Sequence, residues 1–82
     1  MISPAEAANK VKETQKYEEI IRVKDYDSQH YVVEAWPKAD KMPHGEQTTF
    51  GVDKETGLVT AFMLNPATGT LDKFLNAKDC KI

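Results

Sequence analysis

Cysteine occurs once in this chain, at Cys80, so no disulfide can form within it. Serine and histidine each occur twice, at Ser3 and Ser28 and at His30 and His44. A Ser/His/Asp triad finds no support, because Ser3 opens a helix and Ser28 sits in a turn. A zinc site needs three or four ligands at recognisable spacing, and His30, His44 and Cys80 are scattered. Asp53 has no second ligand at a suitable spacing, so its expected role is to hold a turn through its own backbone. The four glycines stand singly, and none builds a phosphate loop. Positive charge is not in excess either: 11 Lys and Arg against 13 Asp and Glu leave a formal charge of −2. That balance lacks the basic stripe of a nucleic-acid binder. The expectation is a chain that is not an enzyme, with no catalytic residue, no cofactor and no metal site.

Long apolar runs are missing too. No stretch approaches the ~18 residues of a membrane span. The opening "MISPAEAANK" lacks the basic start and apolar core of a signal peptide. The expected compartment is therefore the cytoplasm, unless a leader or anchor has been removed.

What is present describes one small domain, residues 1–82. A domain of this size buries roughly 60% of the surface its unfolded chain exposes, so its core is modest. Ser3, Pro4 and Glu6 make a capping box with proline at the first helical position, which predicts a helix over 4–16. Its apolar stripe, Ala7, Ala8 and Val11, is small and predicts a helix lying close against a sheet. β-branched residues in "EIIRVK" predict a first strand over 19–24. "HYVVEAW" predicts a second, closed by Pro37. A polar loop, residues 38–47, leads to a third strand over 48–52. "DKETG" then reads as a turn with Gly57 at positive φ, followed by a fourth strand over 58–64. Leu71, Phe74 and Leu75 fall at i, i+3 and i+4, which predicts a short C-terminal helix, with a fifth strand over 70–75 as the alternative.

The fold class expected is α+β: an N-terminal helix packed on a three- to four-stranded antiparallel sheet, with a short C-terminal helix or an extra strand. Neither the second nor the fourth strand alternates cleanly between apolar and polar. Tyr31, Val33 and Ala35 share one face of the second strand, and Val32 and Trp36 share the other. One helix covers one face only. The other face is covered by residues 65–82 folding back, by a second copy, or by a partner.

The order of capped helix, three strands, turn and strand resembles the PepSY domain. Ile2, Ser3, Glu6 and Ala7 match that family's "I-S/T-x-x-E-A" helix, and Tyr31, Val33 and Glu34 its "Y-x-V-E/D" strand. Val52, Asp53, Thr56, Gly57 and Val59 match its "V-D-x-x-T-G-x-V" hairpin. The resemblance covers residues 2–64, leaving 65–82 as a C-terminal extension. It implies a non-catalytic role, with inhibition or regulation of peptidases as the theme, and an extracytoplasmic setting usual for the family.

The sequence thus predicts a protein–protein interaction module. Tryptophan is enriched in binding hot spots, so the expected contact residues are Trp36, Met42 and His44 of the following loop, Tyr31, and Asp53 of the hairpin turn. The rival expectation is a small structural or assembly protein, phage-encoded, acting as a homo-oligomer through an edge strand or its second face.

Overall fold

A computed structural model of the chain describes residues 1–15, 17, 19–36 and 48–82. The capping box forms as expected. Ser3 N donates to Glu6 Oε1 at 3.4 Å and Glu6 N to Ser3 Oγ at 3.2 Å, and helix α1 runs over Pro4–Gln15. Its Ala7, Ala8 and Val11 are buried, and these short side chains let the helix axis approach the sheet closely.

The sheet has five strands, all antiparallel, in the order β4-β3-β2-β1-β5. They are β1 (Glu19–Asp25), β2 (His30–Trp36), β3 (Thr49–Asp53), β4 (Val59–Ala61) and β5 (Lys78–Cys80). Strands β1 to β4 form a meander, each paired with its neighbour in sequence. The chain then crosses the sheet through helix α2 (Thr70–Asn76) and adds β5 to the far edge of β1.

Register places the side chains in rows. Cys80, Val23, Val33, Phe50 and Ala61 form one row, and Asp25, Tyr31, Val52 and Val59 a second. Both rows face α1, and Val23, Tyr31, Val33, Phe50 and Val52 join Ala7, Ala8 and Val11 in the main core. The intervening row, Asp79, Lys24, Val32, Gly51 and Thr60, points to the opposite face. Val32 and Val33 are both 0% exposed, so β2 is buried on both sides.

The C-terminal segment supplies the second cover. Phe74 of α2 is buried, and the Lys24 ammonium stands 5.4 Å from its ring. Lys24 Nζ donates to Ala77 O at 3.2 Å and Leu75 O at 3.4 Å, and lies 3.4 Å from Asp79 Oδ1. A cation at the last carbonyls of a helix opposes the negative end of its dipole. Phe62 stands over Gly51, where an added Cβ would meet Phe62 Cδ2 at 3.3 Å. Its ring meets that of Tyr26 edge-on at 4.9 Å.

The α+β arrangement agrees with the sequence expectation, and three details differ. The fifth strand is not residues 70–75, which are helical as preferred, but Lys78–Cys80 beyond the helix. The sheet accordingly has five strands, not three or four. The fourth strand, expected over 58–64, is paired only over Val59–Ala61. Beyond it the chain is turned aside by Thr70, whose hydroxyl bonds Met63 O at 3.2 Å and Asn65 N at 2.7 Å.

Phe74→Ala is expected to cost about 3 kcal/mol in urea unfolding, the scale of an aromatic deleted from a core. A loss under 1 kcal/mol would mean that α2 does not close the second face.

Candidate functional site

The expected contact residues do not converge. Trp36 ends β2 opposite Glu19, and is half-buried. Asp53 sits at the other end of β2, paired with His30, so about 20 Å of strand separates the two. Tyr31 belongs to the core, only 7% exposed, and its hydroxyl donates to Ile2 O at 3.0 Å. Met42, His44 and the rest of the 38–47 loop lie outside the described residues. Tyr26 follows the end of β1 remote from Glu19 and Trp36. Trp36 and the Asp53 turn therefore stand at opposite ends of β2, and the loop expected to join them lies outside the described residues.

Asp53 does hold its turn. Its Oδ1 accepts from Glu55 N at 2.8 Å and Thr56 N at 2.9 Å, and Gly57 N donates to Asp53 O at 2.8 Å. Gly57 has φ 75, the left-handed region that favours glycine. Beside this turn the charges gather around Lys54, which is buried. Its ammonium pairs with the Asp25 carboxylate, donates to Asp27 O at 2.6 Å and lies 4.9 Å from the Tyr31 ring centroid. Backbone bonds tie the same end together: Ile2 N to Lys54 O at 2.7 Å and Lys54 N to Gln29 O at 2.8 Å. Asp27 Oδ1 accepts from Gln29 N and His30 N, with His30 Nδ1 at 3.3 Å. These contacts fasten the helix start and both turns to one another.

The electrostatics follow from these bonds. The amides of Thr56 and Glu55 hold the Asp53 carboxyl below its ordinary value. Partial burial acts to raise Asp27, but the amides of Gln29 and His30 outweigh it and the net shift is downward. The hydrogen bond to Asp25 raises Lys54. Burial raises the Cys80 thiol above its ordinary value, which disfavours the thiolate. Among the described residues no three of His, Cys, Asp and Glu are grouped so as to hold a metal ion. Nor, among them, is any helix long and apolar enough to cross a membrane. An open cleft between α1 and β1, lined by Ala8, Asn9, Lys12, Glu19, Ile20 and Ile82, brings together a lysine, a carboxylate and apolar side chains.

The two edges of the sheet differ sharply. At one edge β5 carries Lys78 and Asp79, and the part of β1 it leaves uncovered has a register break between Ile20 and Arg22. Charges and bulges of this kind discourage further pairing. At the other edge β4 has no such protection among the described residues. From Gly57 to Leu71 no residue is charged, although 29% of the chain is. Asp53 N bonds Leu58 O at 2.9 Å and Phe62 N bonds Thr49 O at 3.1 Å, so residues 58, 60 and 62 face β3. The N–H and C=O groups of Val59 and Ala61 accordingly point to the open edge. Leu58 and Met63 flank them, 64% and 73% exposed.

The edge was missed because Leu58, Val59 and Met63 read as ordinary strand residues. The signal was the uncharged length of 57–71, which composition averaged over the whole chain conceals. Lys24 and Lys54 were missed for another reason: a lysine in a strand or turn reads as a solvated charge. No family model, curated protein or solved structure matches the chain.

The lowered Asp27 and Asp53 carboxyls stabilise the fold fully above their ordinary value of 3.8. That contribution is lost as pH falls through the lower native values. Lys54 has the opposite sign: its contribution is full below 10.5 and is lost as pH rises through its raised native value. Replacing both acids, Asp27→Asn with Asp53→Asn, keeps the acceptor oxygens and removes the titration. Stability of the double variant, followed by circular dichroism in urea, should vary less steeply below pH 3.8 than that of the parent. An unchanged slope would contradict the assignment.

Proposed function

We propose that the chain is a non-enzymatic protein-binding module whose docking site is the open edge of β4. The observation that carries this reading is the outward-facing backbone of Val59 and Ala61, flanked by the exposed Leu58 and Met63. An extended segment meets such an edge by β-strand addition: main-chain hydrogen bonds give affinity and the flanking apolar side chains give selectivity. The buried lysines Lys24 and Lys54 and the partly exposed Asp27 support the same reading, since each is engaged in holding the fold. The PepSY-like pattern of residues 2–64 agrees with binding as the role. In that light the partner is a peptidase, regulated or inhibited by contact.

A second reading has a specific observation in its favour. The uncharged edge lacks the repulsion that keeps identical strands apart, so an assembly protein built from copies of this chain would use the same surface.

Ala61→Pro tests the docking edge. The Ala61 N–H faces away from β3, and proline is tolerated on an edge strand in that position. The variant should remain folded by circular dichroism and lose the protein partners that the parent captures on a column. Undiminished capture by the folded variant would overturn the β4 site.

A further inference from the structure

We infer that residues 65–80 form a releasable cover, which unlatches from the sheet as one piece while α1 and strands β1 to β4 stay folded. Lys24 is its latch. The inference is independent of the docking edge at β4.

The two covers of the sheet are unequal. Helix α1 has 12 residues, a capping box and three buried side chains. Helix α2 has 7 residues, no side-chain cap at Gly69 and one buried side chain, Phe74. A helix so short is marginal by itself and depends on its packing. Strand β5 lays only Lys78, Asp79 and Cys80 along β1, and lysine and aspartate are poor strand formers. The segment nonetheless has local order of its own. Asn65 N donates to the Thr70 hydroxyl at 2.7 Å, and Ala67 N to Asn65 Oδ1 at 2.8 Å, which closes the turn ahead of α2.

One ammonium fastens both parts of the segment. Lys24 Nζ reaches Leu75 O and Ala77 O at the end of α2 and Asp79 Oδ1 in β5. Lys73 adds a contact over the Tyr26 ring, 4.7 Å from its centroid. Lifting the segment lets water solvate Lys24, so the open form holds no buried unpaired charge. A piece with one apolar anchor and its own local bonds is the part of a fold that opens below global unfolding. Opening bares the outer edge of β1 and the face that carries Lys24 and Val32.

Backbone parity supplies the reporters. Ala35 N bonds Thr48 O at 2.9 Å, so Tyr31, Val33 and Ala35 face β3 while Val32 and Glu34 face β1. Lys24, the partner of Val32, therefore turns its N–H to β2, which leaves those of Val23 and Asp25 to β5. Neighbouring amides of one strand thus report different events.

Amide exchange at single residues in low urea tests the cover. Val23, Asp25, Lys73 and Ala77 should share one opening, with protection at least about tenfold below that of Lys24 and Val33 and a weaker dependence on urea. Val23→Cys lies opposite the native Cys80 in register, within the Cα range of a disulfide. Once oxidised with diamide, this variant should protect Asp25, Lys73 and Ala77 as strongly as Val33, and reduction should restore the difference. Lys24→Met keeps the stem and removes the ammonium. It should speed exchange at Asp25 and Ala77 by one common factor of about tenfold or more. Equal protection of cover and core amides in the parent at every urea concentration overturns the releasable cover. Weak protection of Val23 and Asp25 beside core-like Lys73 and Ala77 overturns the single unit, because β5 then frays alone. Unequal acceleration in Lys24→Met overturns the latch.

Discussion

The structure depends on one constraint: β2 is apolar on both faces, with Val32 and Val33 fully buried back to back. A sheet built on such a strand needs two covers, and a chain of 82 residues has little to make them from. The first is α1, whose small side chains bring it close over Val33 and Phe50. The second is the segment after β4, which returns across the sheet and buries Phe74. Lys24 joins the second cover to the sheet. Its charge is almost buried, and it is satisfied by Ala77 O, Leu75 O and Asp79, all from the returning segment. Removing those partners would leave an unpaired charge in an apolar setting, which is costly.

The same economy explains the opposite role of Lys54. At the far end of the helix face it gathers Asp25, Asp27 O and the Tyr31 ring, close to where Ile2 enters α1. Two lysines therefore do the work of clamps, one for each cover. The Asp53 turn belongs to this end, and its hydrogen bonds are all local. Both edge strands lack a further neighbour among the described strands, and the neutral, apolar character of β4 sets its edge apart from the charged one at β5.

Much of this was legible in the sequence where local chemistry decides the outcome. The Ser3–Glu6 cap, the β-branched runs of β1 and β2, and the Gly57 turn each follow from short-range rules. The return of residues 65–82 to finish the core was among the alternatives that two apolar faces impose. Other features depend on long-range contacts that no local pattern reports. Lys78–Cys80 is a strand only because β1 offers an edge, and its "KDC" has no strand propensity to announce it. β4 is shorter than its composition implies because Thr70, in the helix that follows, captures Met63 O. The separation of Trp36 from Asp53 is likewise set by the length of β2, which no local pattern reports.

The most direct test of the open β4 edge is amide hydrogen exchange at single residues, read in dilute protein. The account predicts an alternating pattern: Thr60 and Phe62 protected by β3, Val59 and Ala61 exchanging rapidly. Equal protection of all four amides at high dilution would contradict the account, because it would mean that the edge is already covered within a single chain.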